Sequence, residues 1–318
     1  MKIVITGALG HIGSHLIRRL PSFFEDCEII MIDNLATQRY PSLFDLPENA
    51  NYQFIEGDVL ELDLPPIFDG ADVVIQLAAI TDATASFDRA EEVERVNFKA
   101  TELVANACIK TNVPLIVASS TSVYGTQKHQ VDEECSEDEL KPQSPYAETK
   151  LKEEALTVRK VESEGLKAII FRYGTIFGVS PGMRFHTAVN KFCWQAVMGT
   201  PLTVWKTAYD QKRPYLDLDD CARAVAFVIK RKLFDGRVYN VVSANSTVRN
   251  VVENIQSHIP NLRVNFVEHR IMNQLSYEVL NTRMSSAGFE TERDFRQGIA
   301  ETIDILKNSN CLRDSNIE

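Results

Sequence analysis

The chain has 318 residues, of which 44% are hydrophobic and 25% charged, and a formal net charge of −10. That size allows a full core, as one large domain or two lobes. The acidic balance argues against non-specific binding to nucleic acid, yet leaves room for an anionic small ligand, which needs only a few arginines and a helix N-terminus. No apolar run reaches the ~20 residues of a membrane helix, so no membrane partner is expected. Cys27, Cys108, Cys135, Cys193, Cys221 and Cys311 are scattered, without CxxC or Cys/His ligand spacing. Reduced thiols, no metal and a cytoplasmic location are expected. Met1-Lys2 runs straight into a strand-like segment and reads as no signal peptide.

Residues 2–6 (KIVIT) predict a short buried strand. The turn GALGHIG follows, then a helix with Ile12, Leu16, Ile17 and Leu20 on one side. In such a unit the first glycine permits the tight turn and the second lets a pyrophosphate approach. The third lets the helix pack on the sheet. The helix N-terminus turns free N–H groups and a positive dipole end toward phosphate. Gly7, Gly10, His11, Ile12 and Gly13 are therefore candidate cofactor-binding positions. Residues 28–33 predict a second strand ending in Asp33, twenty residues beyond Gly13. A carboxylate there accepts hydrogen bonds from the ribose hydroxyls and repels a 2′-phosphate, so NAD is expected rather than NADP.

Residues 52–59 predict a third strand with Asp58 and Val59 at its end. Residues 72–79 predict a fourth, ending in small side chains that let backbone pass close to a ligand. Asn97 is read as opening a helix that turns Ala100, Leu103, Val104 and Ala107 inward. Residues 113–120 predict a fifth strand, running into Thr121-Ser122-Val123-Tyr124-Gly125. The hydroxyls from Ser119 to Ser122 are either turn chemistry or one wall of an active site, since ligands of such folds sit beyond the carboxyl ends of the strands. Alternating strands and helices predict an α/β fold with a Rossmann-type doubly wound parallel sheet.

Ser144-Pro145 reads as a helix start. Tyr146 and Lys150, four residues apart, then share one helix face. An ammonium beside a phenol favours the phenolate and lowers its titration from an unperturbed ~10. Tyr146 is thus a candidate general base near neutral pH.

Together, TGALGHIG, Asp33, Asp58-Val59, Leu77-Ala78-Ala79, SSTSVYG and YAETK resemble the extended short-chain dehydrogenase/reductase family, and more closely its nucleotide-sugar epimerase/dehydratase branch. The resemblance covers nearly the whole chain. It implies Ser120, Tyr146 and Lys150 as catalytic residues. Tyr146 would take a proton from a sugar hydroxyl at C4 while a hydride passes to NAD. It also implies cofactor contacts from Asn34, Leu77, Ala78, Ala79, Asn97 and Tyr173. Substrate contacts are implied for Thr81, Thr121, Ser122, Thr175, Asn190, Val204, Arg213 and Arg270. Thr175 replaces the asparagine of the family's Arg-x-x-Asn. The Asp-Glu pair that 4,6-dehydratases usually carry after the catalytic hydroxyl is here Thr121-Ser122. Hydroxyls do not replace carboxyl acid/base groups, which argues against that reaction.

Residues 166–173 predict a sixth strand and residues 238–242 a late strand returning to the main sheet. Residues 250–259 predict an amphipathic helix, and Asp219-Asp220 a helix cap. The expected division is an NAD-binding domain over 1–173, with 214–243 packing back on it. A substrate-binding lobe is expected over 174–213 and 244–318. The function expected is an NAD-dependent nucleotide-sugar epimerase that oxidises C4 and returns the hydride, acting on a nucleotide-diphosphate sugar. The alternatives are a C4 dehydrogenase or reductase on the same scaffold, and a non-catalytic NAD-binding regulator. The resemblance also implies a homodimer through the helix carrying Asn97 and the helix carrying Tyr146.

Overall fold

The computed structural model describes residues 1–81, 85–125, 128–268 and 276–307. Its first half alternates strand and helix: β1 (Lys2–Thr6), α1 (His11–Arg19), β2 (Cys27–Asp33), β3 (Ala50–Glu56), α2 (Leu64–Phe68), β4 (Val73–Gln76), α3 (Ala90–Thr111) and β5 (Leu115–Ser120). A short β6 (Gln130–Val131) precedes α4 (Pro145–Glu164) and β7 (Ala168–Tyr173). Then come β8 (Thr175–Phe177), α5 (Ala188–Val197), β9 (Leu202–Trp205), β10 (Lys212–Asp217), α6 (Leu218–Arg231) and β11 (Asp235–Val241). The chain continues through β12 (Ala244–Thr247), α7 (Val248–His258), β13 (Val264–Val267), β14 (Glu278–Val279), α8 (Thr282–Ser286) and α9 (Phe295–Lys307).

Seven strands form one sheet in the order β11-β7-β5-β4-β1-β2-β3, and every pairing in it is parallel. Ile3, Val4 and Ile5 are all fully buried, because a parallel sheet covered on both faces needs apolar side chains on both. One face packs under α1 and α6, through Leu16, Ile17, Val225 and Val228. The other packs under α2, α3 and α4, through Phe68, Val104, Cys108 and Val161. The strand order reverses beside β1, and ligands of this architecture bind at that switch point. β12, β10 and β8 form a smaller sheet, and β9 pairs with β13. A third cluster, with Phe177, Val189, Val204, Val251 and Ile299, ties α5, α7 and α9 to these strands.

The first strand falls where its apolar run ends, and β11 pairs with β7 as the late strand of the main sheet. Three details differ from expectation. β3 and β4 stop at Glu56 and Gln76, so Asp58, Val59 and Leu77–Ala79 lie in the turns beyond. Helix α3 begins at Ala90, so Asn97 sits in its interior. The cap of α6 is Asp217, which accepts from the Asp219 N–H at 2.8 Å. Asp219 instead meets His15 and Arg19. Among the described residues no helix is long and apolar enough to cross a membrane.

Candidate active site

The glycine turn leaves β1 at Gly7, whose φ is +62°. A Cβ there would lie 2.7 Å from the Ala78 nitrogen, so both the backbone conformation and the neighbour demand glycine. At Gly13 a Cβ would lie 2.6 Å from the carbonyl oxygens of Gly7 and Ala8. α1 starts at Gly10 with no side-chain cap, leaving its first N–H groups for an anion. Asp33 lies at the end of β2 and shapes this turn. One of its oxygens accepts from the Leu9 N–H at 3.0 Å and the other from the Leu35 N–H at 2.9 Å. Asp58 accepts from Asn34 at 3.0 Å, joining the ends of β2 and β3. This donor and acceptor set fits a dinucleotide, with pyrophosphate at the N-terminus of α1 and adenosine ribose at Asp33.

The loop from Gly178 to Arg184 is seated on the same turn. Asn190 is fully buried. Its amide nitrogen donates to His11 Nε2 at 3.2 Å and to the Arg184 carbonyl at 3.1 Å, and its oxygen accepts from the Gly178 N–H at 3.3 Å. With Nε2 accepting, the His11 proton lies on Nδ1, which faces Ser180 Oγ at 2.8 Å. Burial, helped by Arg184, His15, Arg39 and His186, depresses His11 to about 3. The imidazole is therefore neutral. The amide of Asn190 thus holds the turn and this loop together.

Asn97 ties down the neighbouring turn. Its oxygen accepts from the Ile80 N–H at 2.8 Å and its nitrogen donates to the Ile80 carbonyl at 2.9 Å, which fixes the chain just past Ala78-Ala79. Tyr173 turns its ring into the core against Phe171, at 5.5 Å between centroids, and its hydroxyl is buried beside Cys221. What it offers the site is backbone: its carbonyl accepts from Thr121 Oγ1 at 3.2 Å. Val204 is fully buried in the third cluster.

The residues expected to carry chemistry, Ser120, Tyr146 and Lys150, lie at the end of β5 and the start of α4. Ser144 caps α4, accepting from the Ala147 N–H at 3.2 Å, with Pro145 in the first turn. Ser86 accepts from the Tyr146 N–H at 3.4 Å. The Lys150 ammonium lies 5.9 Å from the centre of the Tyr146 ring. Ser120 accepts from the Ser122 N–H at 3.1 Å and lies 2.9 Å from Ser122 Oγ. The turn Thr121–Val123 packs against α4.

One expectation is reversed in sign. Burial raises Tyr146 above its ordinary value, and the pull of Lys150 and Arg184 does not overcome it. Glu153, which bonds Lys150 Nζ at 3.1 Å, adds to the effect of burial by opposing the phenolate. Burial works against the Lys150 ammonium, but Glu153, Tyr146 and Glu154 outweigh it and hold the group above 10.5.

Glu153 carried no motif and was not singled out from the sequence. Nor were Arg184, whose guanidinium donates to Thr81, and Arg39, which stands beside Gly10 and Asp33. For Glu153 the signal was there: residues 146, 150 and 153 form one stripe on a helix. Thr175 opens β8, and Arg213 lies partly buried on β10 with Gln211 bonded to its guanidinium at 2.5 Å. Arg270 lies outside the described residues.

Comparison with known proteins gives a consistent answer. A model of the NAD dependent epimerase/dehydratase family matches residues 3–241. The Bacillus subtilis (strain 168) protein YtcB, named an uncharacterized UDP-glucose epimerase, is 30% identical over 266 residues, covering 80% of this chain and 81% of its own. A trifunctional UDP-glucose 4,6-dehydratase/UDP-4-keto-6-deoxy-D-glucose 3,5-epimerase/UDP-4-keto-L-rhamnose-reductase of Arabidopsis thaliana is 28% identical over 314 residues. This chain is 95% covered by that match but spans only 46% of the plant protein. The structure of UDP-glucuronic acid 4-epimerase from Bacillus cereus, in complex with UDP-glucuronic acid and NAD, aligns with a TM-score of 0.86 at 25% identity over 97% of this chain and 99% of that one. The family match runs unbroken through the glycine turn, the acid-ended strands and the Tyr146–Lys150 helix, so the chain belongs to the NAD-dependent epimerase/dehydratase family and is an enzyme with NAD as its cofactor.

Proposed function

We propose that the protein is a nucleotide-sugar 4-epimerase, oxidising the sugar at C4 through Ser120, Tyr146 and Lys150 and returning the hydride to the other face. The observation that carries this reading is the composition of the turn after β5. The turn packs on α4 and carries hydroxyls, Thr121 and Ser122, where elimination of water would need carboxyl groups. In this reading Tyr146 takes the proton of the C4 hydroxyl and later gives it back. Ser120 accepts hydrogen bonds within its turn, which leaves its own hydrogen to steady the sugar oxygen. Lys150 holds Tyr146 in place and favours its ionised form. NAD, when bound, supplies a hydride acceptor that carries positive charge. Gly7, Gly10, His11, Ile12, Gly13, Asp33, Asn34 and the 77–79 turn would hold it.

Residues 174–213 and 244–318 form the substrate lobe in this proposal. Arg213 faces the diphosphate, and Thr81, Thr121, Ser122 and Thr175 line the sugar. The similarity to UDP-sugar 4-epimerases makes UDP-sugars the first candidates. We also read the protein as a cytoplasmic homodimer joined through α3 and α4. The outward face of α3 supports this, carrying Phe98 in a groove with Arg95 and Glu102. Light scattering of Phe98→Asp, with a wild-type mass of one chain as the contrary result, tests the dimer.

The decisive experiment incubates the enzyme with UDP-sugars in D2O and follows them by NMR. A 4-epimer that carries no deuterium on carbon is expected. Loss of a hydroxyl, or deuterium at C5, would mean elimination chemistry. Accumulation of NADH with a keto sugar would mean a dehydrogenase.

A further inference from the structure

We propose that Glu153 is a positioning residue of this site: a buried carboxylate, steadied from α3 by Thr101, that anchors the Lys150 ammonium and sets the pH range in which Tyr146 works. The proposal rests on Tyr146 being the base.

The geometry is specific. Tyr146, Lys150 and Glu153 lie on one stripe of α4. Glu153 is 2% exposed, Lys150 5% and Thr101 0%. Lys150 Nζ at 3.1 Å and Thr101 Oγ1 at 2.6 Å both bond the same oxygen, Oε2. The other oxygen, Oε1, is buried without a hydrogen-bond partner among the described residues. A buried carboxylate with one unpaired oxygen is costly to keep, and a carboxylate serving only to join α3 to α4 would not need that arrangement.

The charges that face the pair come from four elements. α4 itself supplies Glu153 and Glu154, and β7 supplies Arg172, which is spent on Glu154. The loop after β8 supplies Arg184, which acts on Tyr146. From α3, Glu94 reaches only the exposed Lys152. The β5 turn contributes hydroxyls alone. Glu153 is therefore the one nearby negative charge among these that bonds Lys150 directly. It fixes the ammonium against the helix and at the same time opposes the phenolate. Removing its charge while keeping its shape leaves Lys150 acting on Tyr146 undiminished.

The test uses NAD-loaded Glu153→Gln and Glu153→Asp. Tyr146 is titrated by its phenolate absorbance, as the difference from the same protein with Tyr146→Phe, and kcat is measured against pH. For Glu153→Gln the expected result is a Tyr146 titration and an acid limb of kcat both moved down by about one pH unit, with KM within about twofold. Glu153→Asp, which draws the carboxylate back from Lys150, moves both in the same direction by less. It serves alone if the glutamine variant does not fold. An unmoved titration, or one moved upward, overturns the proposal and leaves Glu153 as a tie between helices. The absorbance titration needs no substrate. Wild-type protein that turns over no nucleotide sugar would defeat the epimerase reading while this titration still decides the role of Glu153.

Discussion

Glu153 and Glu154 are neighbours on one helix, both almost fully buried, and their surroundings differ in kind. Glu154 is closed off. Arg172 grips it with Nε at 2.9 Å and Nη2 at 2.6 Å, and Ser119 adds a bond at 2.5 Å. Arg172 goes on to Tyr124 at 2.9 Å, and Tyr124 to Asn240 at 2.9 Å, so the network crosses from α4 through β7 to β11. Such a two-pronged pair is strong and directional, and it offsets most of the Glu154 charge where it stands, leaving a weaker pull on Lys150 than that of Glu153. Glu153 shares one oxygen between Lys150 and Thr101 and keeps the other without a partner among the described residues. Its field is not used up locally. The pair teaches that a buried charge with complete partners holds a fold in register, while one with incomplete partners acts on whatever titrates next to it.

The largest effect expected is on chemistry. Tyr146→Phe removes the group that Glu153 acts upon and leaves the Glu154 network untouched. Turnover should fall about 10²–10⁴-fold with bound NAD retained, measured by steady-state rates and cofactor release. Unchanged turnover would end the comparison, because no base would be left to tune.

Arg172→Met attacks the other member. It leaves Glu154 buried without its cation, and a loss of about 3–5 kcal/mol in denaturant-monitored stability is expected. A loss under about 1 kcal/mol would mean that the closed network is not what holds these elements together.

Alkaline pH separates the two carboxylates next. Lys150 is raised above 10.5 in the folded chain. Its pairing therefore adds stability that is complete below 10.5 and lost as pH rises through the folded value. Glu153→Gln should lose part of this stability at neutral pH, so its urea midpoint should fall less than that of the wild type as pH rises from neutral to alkaline. Arg172 is raised still further, so the Glu154 network contributes no such loss over that range. The smallest effect is that of Thr101→Val, which removes one hydroxyl from Glu153 at a cost of about 1 kcal/mol in stability. A cost above about 3 kcal/mol would show that Thr101, more than Lys150, holds this carboxylate.

The framework of the site was legible because it is local. The apolar run of residues 2–6, the three glycines and Asp33 specify strand, turn and acid within a few dozen residues, and Ser144-Pro145 marks the start of α4 by its own chemistry. What escaped was set by packing between distant segments. Asn97 looked like a helix start because apolar periodicity begins near it, yet the charged first turn with Glu91 and Glu92 carries α3 back to Ala90. The meeting of His11, Arg184 and Gly178 on the Asn190 amide, 179, 6 and 12 residues away, is set by the same packing. Glu153 shares the helix stripe of Tyr146 and Lys150, but that spacing does not reveal its burial. Only the docking of α3 on α4 buries it and turns its charge toward Lys150. The lowered phenol expected for Tyr146 failed for the same reason: spacing gave the cation, but not the burial that raises the phenol or the anion that adds to it.

Gly182 has a consequence for how the two ligands communicate. A Cβ on it would lie 2.3 Å from the Leu9 carbonyl oxygen, and its N–H donates to Ser14 at 2.9 Å, so this loop and the glycine turn share a single contact surface. In the proposed epimerase, with NAD on the glycine turn and the nucleotide sugar on the lobe that carries this loop, the two binding energies would be linked reciprocally: the factor by which the sugar changes the affinity for NAD is the factor by which NAD changes the affinity for the sugar.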